Sequence, residues 1–160
     1  MIVLAGRNLA KMEAAKAELD ELGVESCLCK TDIADRAQVQ ALADDAASLG
    51  DVTQVIHTSG VSPSDTATEN IIKNNAAGTV NMVEAFYPVL AEGGVIINFS
   101  SVAAYTMPQT DEWTQAFEAW NEPDFYDRLL TPMHQKLIDN QPETAENQLE
   151  LIPAGRLGSS

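Results

Sequence analysis

The chain has 160 residues, a length that suits one domain, and an ordinary apolar fraction of 45%. Nine Lys plus Arg stand against 24 Asp plus Glu, a net charge of −15. So strong an acidic excess argues against nucleic acid and against anionic membrane surfaces, because both are bound through clustered Lys and Arg. No apolar stretch is long enough to span a bilayer, and no basic segment followed by an apolar core marks a secretion signal, so the expectation is a cytoplasmic, soluble protein.

The first strand is expected over about residues 2–6, where Ile2-Val3-Leu4 runs into Gly6-Arg7-Asn8. Asn8 can cap a helix with Leu9, Met12, Leu19 and Leu22 on one stripe and Gly23 as its stop. A second strand follows at about 24–30 and runs into Thr31-Asp32. Its Cys27 and Cys29 would share a face, too close to bridge without distortion and too few for a metal. Buried apolar filler in a reducing compartment is their expected role. Asp35 opens the next helix, with Gln38 completing a capping box, and that helix carries Val39, Leu42, Ala43, Ala46 and Leu49 as far as Gly50.

A third strand at about 52–57 runs into His57-Thr58-Ser59-Gly60. A long helical stretch is expected from about Thr68 to Ala91, with Asn74, Asn75 and Gly78 at its centre and Gly93-Gly94 as its end. The fourth strand, about 95–100, runs into Ser100-Ser101. The character then changes: residues 109–150 hold ten acidic and two basic residues and the aromatic group Trp113, Phe117, Trp120, Phe125 and Tyr126. Short helices are expected near 111–120, 124–130, 133–140 and 143–151, broken by Pro123, Pro132, Pro142 and Pro153.

Short Val- and Ile-rich runs alternating with helical patterns read as buried parallel strands. The fold class is therefore α/β, a parallel sheet of four recognisable strands alternating with helices, with a helical C-terminal part. Ligands of open parallel sheets bind at the carboxyl ends of the strands. Each polar cluster named above sits at such an end, which points to a nucleotide-type ligand. Asn75 lies mid-helix, where propensity gives Asn no reason to be, so a buried polar role is expected of it; Asn74 is the alternative inward-facing residue. Tyr105 follows Ser101 too closely to fold back beside it, and His134 has no companion ligands, so no metal site is expected. The aromatic group reads as core or interface.

These residues, in this order, resemble a short-chain dehydrogenase/reductase. Val3-Leu4-Ala5-Gly6-Arg7-Asn8 is similar to that family's second strand and cofactor-choosing turn. Thr31-Asp32-Ile33 resembles the turn whose Asp meets the adenine ring, and Ile56-His57-Thr58-Ser59-Gly60 stands where the family has Val-Asn-Asn-Ala-Gly. Asn75-Ala76-Ala77-Gly78-Thr79 resembles the Asn-x-x-Gly motif, and Ile97-Asn98-Phe99-Ser100-Ser101 the strand that delivers the catalytic Ser. The resemblance covers residues 1 to about 108 and implies a truncated Rossmann-like doubly wound parallel sheet. It implies Ser101 and Asn75 as catalytic residues, Asn75 supporting a proton relay. It implies Arg7, Asn8, Asp32, Ile33, Ser59 and Gly60 as cofactor-binding residues. Leu130-Thr131-Pro132-Met133 and residues 152–158 resemble the substrate lid, which adds Thr131 to the cofactor set.

The implied reaction moves hydride between a nicotinamide and an alcohol or carbonyl of a small molecule. Arg7 can fork onto a ribose 2′-phosphate, and no Asp or Glu shares its turn, so NADP is expected over NAD. His57 is a tempting general base, but it stands where the family has Asn, and a hydrogen-bonding structural role is expected instead. Two departures matter. No Gly-rich loop follows any strand, and Tyr87, Tyr105 and Tyr126 are followed four residues on by Ala91, Gln109 and Leu130, so the family's Tyr-x-x-x-Lys is missing. Residues 1–108 are thus expected to be a partial nucleotide-binding core and 109–160 an acidic lid or interface segment. One account is a chain shortened at both ends with an internal segment lost; the other is a divergent member with an insertion after Ser101. Little or no turnover is expected of this chain. The alternative is a non-catalytic binding or interaction protein on a decayed version of the fold. The family's first strand would lie between the first and third strands here. Its loss leaves two apolar edges that either pair with another chain, giving a homo-oligomer, or close up on each other.

Overall fold

The computed structural model describes residues 1–61, 68–102, 110–125 and 127–129. In chain order these form β1 (Ile2–Gly6), α1 (Leu9–Glu21), β2 (Ser26–Lys30), α2 (Arg36–Leu49) and β3 (Val52–His57). Next come a helical turn α3 (Thr68–Ile71), a π-helical stretch (Ile72–Ala77), α4 (Gly78–Phe86), a 3₁₀ turn (Tyr87–Val89), β4 (Leu90–Asn98) and α5 (Asp111–Glu118). They divide into two compact units. The first is Met1–Val55 with Asn81–Ile96, and the second is Ile56–Val80 with the chain from Ile97 onward.

In the first unit β1 and β2 pair in parallel, from Ile2 opposite Ser26 to Gly6 opposite Lys30, while β3 and β4 form a separate two-stranded sheet. Among the described residues β1 and β3 share no ladder, so these strands have not closed up on each other and neither two-stranded sheet is extended by a further strand. One apolar cluster holds both sheets. Val39, Leu42 and Ala43 of α2 meet Met82, Ala85 and Phe86 of α4 together with Ile33 and Val55, and Val3, Cys29 and Ile96 pack against them from three of the strands. Each fully buried aliphatic side chain of this kind contributes about 1.5–3 kcal/mol. Cys27 and Cys29 are free and half-buried, as filler in a strand should be.

Asn8 and Asp35 cap their helices as expected, but Gln38 does not close the box: the Asp35 amide donates to the Asp32 carbonyl, and Gln38 Oε1 takes the Asp32 amide. Asn8 Oδ1 accepts from the Lys11 amide at 3.0 Å. Asp35 Oδ1 accepts from the Ala37 and Gln38 amides at 3.0 and 3.2 Å, and Gln38 Nε2 donates to Asp35 Oδ2 at 2.8 Å. Hydrogen bonds to the ionised form hold the Asp35 carboxyl below its ordinary value of 3.8.

Three expectations need correcting. The strands are not buried on both faces: α2 and α4 cover one face of the β3–β4 sheet, while Ile56, Val95 and Ile97 on the other are 45–58% exposed. α1 lies against β1 and β2, but its stripe is buried only in part. Only Met12 is buried there, and Leu22 is 76% exposed. Finally, the long helix ends at Phe86 and not at Ala91. Pro88 has no N–H to donate and disfavours helix at Tyr87, so a 3₁₀ turn intervenes and β4 starts at Leu90. Gly93 and Gly94 lie inside that strand. Gly93 has φ +76°, and a Cβ on Gly94 would sit 2.9 Å from the Ala91 carbonyl oxygen.

In the second unit Ile72, Ala76 and Val80, spaced four apart on one helical face, pack with Ala116 of α5, Phe125 and Leu129, and Phe117 borders them. Of the aromatic group, Phe125 is core and Phe117 borders it, whereas Trp120 is 44% exposed. A helical turn at Phe125 and Asp127–Leu129 stands where the 124–130 helix is expected. Tyr105, Tyr126, Thr131, His134 and the helices near 133–140 and 143–151 lie outside the described residues. Among the described residues no helix is long and apolar enough to cross a membrane.

Leu42, 3% exposed, anchors α2 in the shared cluster. Leu42→Ala should lower unfolding stability by about 2–5 kcal/mol, and Leu22→Ala on the exposed α1 stripe by no more than about 0.5 kcal/mol, as read by urea denaturation.

Candidate functional site

In the first unit the ends of β1 and β2 build one turn region. The Thr31 amide donates to the Gly6 carbonyl at 3.0 Å, which continues the pairing past Lys30. That step brings Arg7 beside Asp32, with Nη1 and Oδ2 3.9 Å apart. Both side chains are well exposed, so the pair is a weak one that a ligand can displace at little cost. Asp32 is otherwise tied into its turn. Its Oδ1 accepts from the Ala34 amide at 3.0 Å, and its own amide donates to Gln38 Oε1 at 3.0 Å. Ile33 turns its side chain into the core, and its carbonyl accepts from Asn81 Nδ2 at 2.9 Å. Gln38 and Asn81 therefore position this turn. The capping pattern made Gln38 visible, but nothing local marks Asn81, which acts 48 residues away from Ile33.

In the second unit the residues after β3 meet the π-helical stretch. The His57 carbonyl accepts from the Phe99 amide at 3.0 Å, joining the ends of β3 and β4. Thr58, Ser59 and Gly60 then run exposed. Asn75 reaches back to this segment with both ends of its amide: Oδ1 accepts from the Val61 N–H at 2.8 Å, and Nδ2 donates to the Val61 carbonyl at 2.9 Å. Gly60 leaves room for that contact, since a Cβ there would lie 3.3 Å from Asn75 Oδ1. Asn74 is also buried, its Nδ2 donating to the Asn70 carbonyl at 2.7 Å, so both asparagines face inward.

His57 is 4% exposed, with Nε2 3.2 Å from Thr79 Oγ1. Thr79 in turn donates to the Asn75 carbonyl at 2.9 Å. Burial without a charged partner pushes the His57 imidazole below its ordinary pKa of 6.5. Its role is the hydrogen-bonding one expected. Ser101 lies exposed, three residues past the last residue of β4. The structure thus gathers the candidates in two groups, Arg7, Asn8, Asp32 and Ile33 in one unit and Ser59, Gly60, Asn75 and Ser101 in the other. Among the described residues no cluster of His, Cys, Asp and Glu could hold a metal ion.

The family model for short chain dehydrogenase matches residues 1–113, more than half of the sequence. The chain belongs to this family. A short-chain dehydrogenase/reductase of Alternaria brassicicola, bsc3, is 29% identical over 108 residues, covering 68% of this chain and 39% of the relative. A short-chain dehydrogenase/reductase from Burkholderia phymatum, solved in complex with NAD, superposes with a TM-score of 0.58 at 23% identity, over 86% of this chain and 50% of its own. A blue fluorescent protein from a metagenomic library, solved with NADPH, does so with a TM-score of 0.56 at 21% identity, over 68% of this chain and 48% of its own. The chain thus spans half or less of the length of these relatives. At these identities the structures establish the Rossmann-like dehydrogenase fold.

The His57 shift has a sign. Below about pH 6.5 the unfolded chain takes up a proton on this residue that the folded chain does not, so its contribution to stability falls as pH drops, until the lowered folded pKa is passed. Between pH 7.5 and 5.5 the urea midpoint of His57→Gln should fall less, or rise more, than that of the parent chain, because Gln cannot take the proton.

Proposed function

We propose that this chain is the nucleotide-handling part of an NADP-dependent oxidoreductase that moves hydride between a nicotinamide and an alcohol or carbonyl carbon. The observation that carries this reading is the Arg7–Asp32 pair. An exposed guanidinium at the end of β1 stands 3.9 Å from the carboxylate at the end of β2, and β1 brings no acidic residue of its own to that turn. A guanidinium forks onto a phosphate with two N–H donors, and a carboxylate there would instead select a free 2′-hydroxyl. In this reading Arg7 takes the 2′-phosphate and the freed Asp32 Oδ2 accepts from the adenine amino group. Asn8 and Ile33 shape the same turn, one as helix cap and the other as its core anchor.

Gly60 and Ser59 give the cofactor a close approach to main chain after β3, and Thr131 is assigned to the same cofactor. The nicotinamide, when bound, supplies or takes the hydride. Ser101, keeping its own proton, would donate a hydrogen bond from its hydroxyl to the substrate oxygen, where negative charge develops. Asn75 has committed both ends of its side-chain amide to Val61, so its part is to hold the Gly60–Val61 segment in place. None of Tyr87, Tyr105 and Tyr126 has a Lys four residues on to lower its pKa, so this chain by itself should bind cofactor with little turnover.

A second reading, a non-catalytic binding protein on this fold, is favoured by the exposed Ile56, Val95 and Ile97 on β3–β4 and by strand edges that find no partner among the described residues. Titration of the purified chain with NADPH and NADH, followed by nucleotide fluorescence, separates the two. NADPH should bind more tightly, and Arg7→Ala should weaken NADPH about tenfold or more while leaving NADH nearly unchanged. Equal affinity for the two nucleotides would sink the NADP assignment, and binding of neither would leave the second reading.

A further inference from the structure

The structure assigns His57 as a positioning residue: its Nε2–H holds the Thr79 hydroxyl so that Thr79 donates to the Asn75 carbonyl, and this fixes the helical register from which Asn75 grips Val61. Only the cofactor arm of the test below rests on the proposed function.

A threonine hydroxyl has one hydrogen and two lone pairs. The Asn75 carbonyl can only accept, so the 2.9 Å contact uses the Thr79 hydrogen. The 3.2 Å contact with His57 then has one polarity left, with the imidazole donating. Neutral His57 therefore carries its proton on Nε2 and leaves Nδ1 bare. Its desolvated setting keeps the ring neutral.

The consequence lies in the helix. Across Ile72–Ala77 the main chain winds with five-residue hydrogen bonds, and the Gly78 amide donates to the Lys73 carbonyl. That Gly78 bond is the last of the five-residue kind, so the carbonyl passed over on the return to four-residue spacing is that of Asn74. Thr79 clamps the neighbouring Asn75 carbonyl from one turn further on, in the first regular turn, and so resists movement of the extra residue past Asn75. Moving the extra residue by one position would turn Asn75 about 100° around the helix axis, given 3.6 residues per turn. Its amide would then miss Val61, and the Gly60 gap that now admits it at 3.3 Å would stand open. His57 is itself anchored at the sheet, because its carbonyl takes the Phe99 amide. The end of β3 thereby sets the helix register, and the helix sets the loop that follows β3.

Three measurements on the 160-residue chain test this. Long-range proton–nitrogen correlation, assigned with His57→Gln, should show a single neutral tautomer protonated on Nε2. Hydrogen exchange at the Val61 amide, which does not touch His57, should speed up about tenfold in His57→Phe and in the isosteric Thr79→Val, the scale of one lost hydrogen bond. It should stay near the parent rate in His57→Gln and Thr79→Ser, which keep a donor and a hydroxyl, and the Val39 and Leu42 amides should be unaffected throughout. NADPH affinity should fall about tenfold in the first pair of variants and hold in the second. A proton on Nδ1, unchanged Val61 exchange in Thr79→Val, or equal acceleration at Val39 and Val61 would overturn the assignment. If the parent chain binds no NADPH, the proposed function fails while the first two measurements still decide the role of His57. Thr79→Val keeps the test open should His57→Phe fail to fold.

Discussion

Two pairs of strands that share no hydrogen bonds with each other are held in one unit chiefly by apolar packing. The inward faces of α2 and α4 meet over Ile33 and Val55 and gather side chains from both sheets. A main-chain ladder would set register between β1 and β3, whereas apolar contact is non-directional and sets only proximity. The turn after β2 is instead positioned by polar bonds of defined geometry, Asn81 on the Ile33 carbonyl and Gln38 on the Asp32 amide.

The same division of labour governs the second unit. Ile72, Ala76 and Val80 bind the helix to the α5 side through one apolar face. Asn74, Asn75 and Thr79, all buried, spend their polar groups inside the unit, where an unpaired group would be costly. A helix with five-residue spacing gives up good hydrogen-bond geometry, and such stretches recur at functional sites because they aim a residue that a regular helix would aim elsewhere. Here the residue so aimed is Asn75, and what it holds is the exposed segment after β3.

Much of the fold is legible along the chain. The Asn8 and Asp35 caps, the α2 stripe and the first three strand runs are local patterns that appear where their residues stand, whereas the fourth strand starts at Leu90, ahead of its apolar run. The legible parts of the site are of the same kind: Arg7 and Asp32 close two strand ends, and the short ladder between β1 and β2 is enough to bring them together. Other features depend on what lies opposite. The α1 stripe meets β1 and β2 at Met12 while Leu9 and Leu22 at its ends stay exposed, so periodicity was necessary for a core face but not sufficient. Pro88 is a local signal as well, and it outweighs the apolar run that continues through Leu90.

The sequence by itself determined the order of the elements, their caps and the family, because these rest on contacts within a few residues and on motifs read in line. Tertiary structure alone decided which side chains of those motifs are spent. Asn75 could have offered its amide to a reacting group, and Val61, 14 residues earlier, takes both ends of it. His57 could have been a base, and its burial against Thr79, 22 residues on, makes it a neutral donor. Hydrogen-bond capacity is finite, and which partner uses it up is set by distances in space that spacing along the chain does not encode.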